Sequence, residues 1–381
     1  MSRRLPLFYA VTAIFWFAIY AYVPFVSPYS EYLGANLRLI GLIVGAYGFT
    51  QMAIRFPLGI LSDRLGRRKI FILGGLFFTA ASGLVVFLFP HPYTMLLSRS
   101  LAGVAAASWV TFAILHASYY PPEAATKSVG FLNSANAMGL ILAFLFGSAL
   151  AQWRGVNYAF LLGGLAGLIG LVVGFAIIEK RPDVKAKPPG LKDLLGVVGN
   201  RQLLAASFLA ILSQYITFAT AFGFTPLLAD GVGASQLQLG MLGLAVALPR
   251  LIVAPFAGTL VPQKIGTRNT IALGFLLMVL ACVLFVFVTE MWQLYVVQAL
   301  VGTGTTLAYT LLMGLSIRDV SGEKRATAMG FFQAVYGLGM FIGPFVTGWV
   351  AFGFGLRVAF LFTGVVALCG VVAARWFARV D

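Results

Sequence analysis

"LLGGLAGLIGLVVGFAII", residues 161–178, has no charge and no alternation of polar with apolar side chains. A barrel strand would show polar residues at every second position, whereas every face of a helix built from this stretch is apolar. At about 1.5 Å per residue such a helix reaches across most of the roughly 30 Å of bilayer hydrocarbon. In lipid each backbone N–H and C=O must be bonded within the protein, which leaves the helix as the reading.

Working outward, similar runs recur along the whole chain and predict twelve spans, at about 5–28, 36–61, 69–89, 93–118, 127–151, 156–178, 202–228, 235–261, 269–289, 292–316, 325–350 and 355–378. Composition agrees: 60% of residues are hydrophobic and 10% charged, against roughly 45–50% apolar usage in soluble domains. The fold class is therefore an all-α integral membrane protein. "MSRRLPLFYA" at the start has the basic head of a signal peptide, but the apolar run that follows is too long and lacks a small-x-small cleavage site, so it reads as an uncleaved first span. Cys282 and Cys369 both fall inside spans, as packed thiols rather than a disulfide framework.

The net charge of +15 raises the question of nucleic acid. Placing the bases answers it. With the N-terminus cytoplasmic, only Arg38, Arg154 and Arg357 fall in outer loops and three more arginines lie within spans; the rest of the 26 Lys and Arg lie in inner loops and termini. That bias is the positive-inside pattern, so the expectation is a multi-pass protein of the cytoplasmic membrane with both termini in the cytoplasm, its bases beside anionic lipid headgroups.

The longest inner loop, "EKRPDVKAKPPGLKDLLGVVGNR" (179–201), mixes charge with a Pro-Pro-Gly break and reads as a linker between units at 1–178 and 202–381. Offset by 199 or 200 residues, the two halves repeat: "GANLRLIG" (34–41) lies over "GASQLQLG" (233–240), and "EAATKSVGFLNSANAMG" (123–139) over "EKRATAMGFFQAVYGLG" (323–339). Six spans per unit keep both in one orientation, which makes parallel repeats with an interface at mid-membrane.

One segment is dense in charge. "GILSDRLGRRK" (59–69) joins the second span to the third, with Gly66 as the turn and Arg67, Arg68 and Lys69 as interfacial anchors. Asp63, at a helix C-terminus, needs a partner: Arg64, Arg67 or the N-terminus of another helix. The pattern G-x-x-x-D-R-x-G-R-R-K, the twelve spans and the repeat resemble the major facilitator superfamily over the whole chain. The resemblance implies two six-helix bundles, transport by alternating access, and a gate made by Gly59, Asp63, Arg64, Gly66, Arg67 and Arg68. In that family the Asp reaches the start of the eleventh helix, here Arg325 to Gly330, and steadies the outward-open state. The second-half copy, "GTLVPQKIGTRN" (258–269), has Gln263 in place of the Asp, which implies a weaker gate. "RSLAG" (99–103) resembles the family's R-x-x-x-G motif of proton-coupled members. Span five lacks the Gly-Pro of the family's antiporters.

Arg55, Arg99 and Arg250 lie within spans, where a charge costs at least roughly 2.5 kcal/mol at a helix centre. Arg250 follows Pro249, and two readings stand beside each other: carbonyls freed by the proline satisfy it, or its planar fork clamps an anionic solute. Tyr20, Gln51, Asn133, Asn136, Gln214, Tyr215, Tyr309, Gln333 and Tyr336 are the mid-span polar residues that would line the cavity, with interhelical hydrogen bonding as the competing role. No acid lies mid-span, so the electrostatics favour an anionic or neutral solute. Glu31, Asp230 and His116 are the candidates for proton coupling, the histidine reading otherwise as interfacial.

Two histidines and two cysteines supply no metal cluster, and no catalytic triad or ATP-binding loop is present in the sequence, so no enzyme and no cofactor are expected. The expected function is secondary active transport of a small organic solute, with protons or another ion as coupling partner, lipids as surroundings, and a monomer as the unit. The alternatives are a proton-coupled multidrug efflux pump and, in another class, a membrane sensor or binding protein without transport.

Overall fold

The computed structural model describes residues 4–120, 125–179, 199–321 and 324–377. Twelve helices among these residues are long and apolar enough to cross a membrane: α1 (Leu5–Tyr32), α2 (Leu37–Leu65), α3 (Lys69–Leu88), α4 (Pro92–Ala117), α5 (Gly130–Arg154), α6 (Asn157–Gly174), α7 (Arg201–Gly231), α8 (Gln236–Ala257), α9 (Thr267–Phe287), α10 (Met291–Arg318), α11 (Thr327–Phe354) and α12 (Leu356–Trp376). The expected linker at 179–201 lies, apart from its ends, outside the described residues.

Several boundaries differ from the sequence expectation, each for a local reason. α2 runs a full turn beyond residue 61 and ends on Gly66, whose φ of 61° closes the helix in the left-handed region. Asp63 therefore sits on the last turn of α2, at the helix C-terminus expected for it. α6 stops at Gly174 instead of 178. Beyond it Glu179 accepts hydrogen bonds from the backbone N–H groups of Arg68 and Lys69, and Lys69 Nζ donates to the Phe175 carbonyl at 2.7 Å. The carboxylate thus caps the N-terminus of α3, where the helix dipole favours negative charge. α1 and α7 each carry a break near their middle: a 3-10 turn at Val23–Phe25 and a π-helical turn at Thr220–Phe224.

Helix pairing repeats with a period of six. α1 packs on α5 and α6 as α7 packs on α11 and α12, α2 on α4 as α8 on α10, and α3 on α6 as α9 on α12. Between the two sets, α2 runs beside α11 and α5 meets α8. Two ends of the bundle can be told apart: a basic end holding the 64–69 turn, and a far end holding Glu31 and Asp230.

At the far end the two sets are closed on each other. A Cβ placed on Gly45 of α2 would meet the Phe341 carbonyl of α11 at 2.9 Å, and one on Gly48 would meet Met340 Cβ at 2.5 Å, so glycine is what lets these helices touch. Toward the basic end they part, and a Cβ on Gly59 or Gly330 would meet nothing within 4 Å. The cores follow the same division. One cluster, including Phe25, Ile40, Phe224 and Leu239, is shared by both sets at the far end. A second lies wholly within residues 203–374, and a third is drawn mainly from residues 8–177. The two sets thus meet at the far end and part toward the basic end.

Candidate solute-binding site

The three intramembrane arginines approach one another through a group of tyrosines. On α2, Tyr47, Gln51 and Arg55 follow at intervals of four and share one face, all buried. Arg55 is 5% exposed; its Nη1 donates to the Gln333 carbonyl at 3.4 Å and to Tyr336 Oη at 3.2 Å, both on α11. This charge bridges the two helix sets at the point where α2 and α11 begin to separate. A snorkelling arginine would have turned outward, and this one turns inward.

Arg99 of α4 is 4% exposed, with its guanidinium carbon 4.6 Å from the centre of the Tyr47 ring. That is cation–π distance, and it shelters the charge without neutralising it. Its Nε and Nη1 are buried and have no hydrogen-bond partner. Arg250 of α8 follows a proline inside the helix, which removes one backbone donor and disturbs the ladder locally. The freed-carbonyl reading does not account for the side chain, because Arg250 Nε and Nη2 are both buried without a partner.

Tyr20 of α1 lies within electrostatic reach of Arg99, Arg250, Tyr47 and Tyr336. Tyr309 of α10 is likewise in reach of Arg55, Arg250 and Tyr336, and its ring meets that of Tyr336 edge-on at 5.7 Å. Aromatic rings pack around the group at Tyr20. Tyr20 packs against Trp16 at 5.8 Å, Phe144 at 5.9 Å and Phe222 at 6.1 Å.

Of the polar residues expected here, Tyr20, Gln51, Tyr309, Gln333 and Tyr336 lie with or beside the arginines. Tyr215 does not; it is buried in the core formed within residues 203–374. Asn133 is exposed, Asn136 and Gln214 are half-buried, and none of the three makes a hydrogen bond to the arginines or tyrosines among the described residues. Tyr47 was absent from the expected set although it supplies the ring beneath Arg99. Its position one turn before Gln51, on the same helical face, is the signal that would have found it.

The gate segment and the proton candidates also need correction. Asp63 pairs with Arg68 at 3.0 Å, not with Arg64, Arg67 or the start of α11. This is the one ion pair among the described residues. Arg64 is adjacent on a helix and points elsewhere, while α11 has moved off with the open end. In the second half, the counterpart of this segment forms a short helix, Leu260–Ile265, before Gly266. His116, next to the inner end of α4, is packed inside the protein: it is 0% exposed, its Nδ1 lies 2.8 Å from Ser128 Oγ, and the rings of Phe8, Tyr9 and Tyr120 surround it. Glu31 and Asp230 are exposed and face each other electrostatically across the closed far end.

The model of the Major Facilitator Superfamily matches residues 8–225 and 203–381. The uncharacterized MFS-type transporter MJ1560 of Methanocaldococcus jannaschii is 24% identical over 94% of this chain and 93% of its own. The multi-drug resistance efflux pump PmrA of Streptococcus pneumoniae is 25% identical over 90% of this chain and 87% of its own. Among solved structures, a bacterial homologue of the human lysosomal transporter Spinster, in an inward-facing and unoccupied conformation, superposes with a TM-score of 0.81 at 16% identity, covering 100% of this chain and 98% of that one. Twelve spans in two sets paired alike, and a family match running from end to end, place this chain in the major facilitator superfamily of membrane transporters.

Proposed function

We propose that this transporter moves a small organic anion across the cytoplasmic membrane by alternating access, with residues 1–178 and 202–381 as the two moving units. The observation that carries the proposal is the free edge of Arg250. Nε and Nη2 form the side-on fork of a guanidinium, and both are buried and unpartnered. A carboxylate or phosphate matches that fork with two parallel bonds. No acid of the described residues competes for it, since the acids of the spans lie at their ends. The basic end is assigned to the cytoplasm by its arginines and lysines, which makes the conformation inward-facing.

The test is a thermal-shift screen of purified protein against benzoate, inorganic phosphate, an uncharged analogue and a quaternary ammonium salt. Anions raise the melting temperature and the other two do not. Arg250→Ala abolishes the shift and the corresponding counterflow in proteoliposomes while the protein stays monodisperse, because truncating one partner of a buried charged hydrogen bond costs about 2–5 kcal/mol. Stabilisation by the ammonium salt with no response to anions would discard the anion clamp.

A second reading is export of amphipathic compounds. It is favoured by the likeness to PmrA and by the bed of Trp16, Tyr20, Phe144 and Phe222 rings. Under that reading aromatic probes bind regardless of charge, and Phe222→Ala weakens them more than Arg250→Ala does.

A further inference from the structure

We infer that His116 is the catch of a pH-operated hinge in α4: with the ring neutral, the inner part of this helix is latched to α1 and α5, and protonation from the basic end releases it. The inference is independent of what the solute is.

α4 is built in two pieces, Pro92–Ala107 and Trp109–Ala117. Between them the Ser108 N–H donates to the Ala105 carbonyl at 3.0 Å and the Thr111 N–H to the Ser108 carbonyl at 2.8 Å. Both bonds span three residues, the tighter 3-10 pattern that often marks a hinge inside a helix.

The inner piece is held along its length by rings and at its tip by His116. Trp109 meets Trp16 edge-on at 5.2 Å, and Phe112 meets Phe15 at 4.8 Å and Phe8 at 5.9 Å, all three partners on α1. His116 is 0% exposed, with Phe8 at 5.3 Å and Tyr9 and Tyr120 each at 5.2 Å. Tyr9 and Tyr120 close this cage with a hydrogen bond of 2.5 Å between their hydroxyls. Nδ1 is satisfied by Ser128, on the helix that continues into α5, and Nε2 is buried with no partner.

With its proton on Nδ1, the neutral ring donates to Ser128 and turns only a bare lone pair toward the rings. An imidazolium carries a second N–H and a full charge, and the cage holds no acceptor for either. The groups that face the ring are the phenols of Tyr9, Tyr119 and Tyr120 and the Ser128 hydroxyl, and no charged side chain acts on it among the described residues. Of the acids at this end, Asp63 is held by Arg68 and Glu179 caps α3. Protonation therefore goes with opening: the ring leaves the cage for water at the basic end, and the piece from Trp109 onward swings about Ser108. Trp16, which loses Trp109, also packs on Tyr20 at 5.8 Å, so the release reaches the group of tyrosines and arginines. An imidazole in water titrates near 6.5, so the opened population rises about thirty-fold from pH 7.5 to pH 5.0; acid opens the hinge and base closes it.

The experiment reads the latch with one thiol and the closed far end with another. Leu115→Cys and, in a separate protein, Leu227→Cys are made in a Cys369→Ser background; the two positions are 1% and 4% exposed, and Cys282 is buried. Each protein, held in nanodiscs, is labelled with a bulky polar pyridyl disulfide, and the rate is divided by that of glutathione at the same pH. The Leu115→Cys rate rises about thirty-fold from pH 7.5 to pH 5.0. Adding His116→Phe, which fills the cage with a ring that does not titrate, leaves the rate low and flat. The Leu227→Cys rate stays unchanged over the same range.

A flat Leu115→Cys rate overturns the inference, and so does an acid-driven rise that persists with His116→Phe. An equal rise at Leu227→Cys also overturns it, because the whole bundle would then be loosening in acid. If Leu115→Cys is not monodisperse, amide exchange across residues 109–117 of the unaltered chain and of His116→Phe, corrected for the intrinsic effect of pH, reads the same ratio and decides by the same outcomes.

Discussion

The far end and the basic end of this bundle are built from the same paired helices and hold together by different means. At the far end the two sets share one apolar core, touch through glycines on α2, and are joined by directional contacts: Ser27 Oγ donates to the Gly223 carbonyl at 2.5 Å and the Leu237 N–H to Gln152 Oε1 at 3.3 Å. At the basic end each set keeps its own core, and polar groups are satisfied within one set. Asp63 is held by Arg68, and Glu179 caps α3. Closure thus depends on shape at one end and on exchangeable charges at the other. A transporter needs both kinds, because a contact that must form and break in each cycle is worth only a few kcal/mol against its alternative.

The strongest way to break the contrast is to spoil the shape. Gly45→Leu drives a side chain into the Phe341 carbonyl and ring, at a cost of about 1–3 kcal/mol for overpacking. That corresponds to roughly a 5- to 150-fold shift away from the closed far end. Labelling at Leu227→Cys should rise accordingly, with the melting temperature of each separate core little changed. Unaltered labelling would mean that α2 and α11 do not set the far-end equilibrium.

The architecture was legible in the sequence because lipid enforces it. Apolar runs of fixed length must be helices, and a glycine-rich repeat near an offset of 200 marked two similar sets of six in one orientation. The arginines were legible for the same reason, since a charge in a span needs a cause. Details that depend on which end is open were not. Asp63 and its partner, and the separation of Gly59 from Gly330, belong to one conformation of at least two, and a sequence encodes both. Tyr215 was misplaced because the period of a helix tells which residues share a face but not which face meets the cleft when every face is apolar.

A smaller effect sharpens the picture at the basic end. In the state described, Asp63 spends its charge on Arg68. The resemblance to the family implies that when this end closes the carboxylate turns to the N-terminus of α11, an interaction of roughly 1 kcal/mol. Asp63→Asn should therefore slow anion counterflow about five-fold. Benzoate affinity should stay as it is, while far-end labelling should fall by a similar factor, because the far end opens only as the basic end closes. Normal counterflow in this variant would contradict the transfer of Asp63 between partners.

The smallest effect lies at the rim of the far end. Arg38 of α2 stacks its guanidinium 4.1 Å from the Trp349 ring centre and 3.9 Å from that of Phe352, both on α11. It is an exposed residue, so water competes for the charge and the contact is worth about 0.5–1 kcal/mol. Arg38→Ala should raise Leu227→Cys labelling about two- to five-fold, and Trp349→Leu by a similar factor. Because both remove one contact, the double variant should label no faster than either single one, whereas independent packing roles would multiply the two factors. A multiplied rate would mean that Arg38 and Trp349 each support far-end closure independently and that their stacking contributes nothing to the latch.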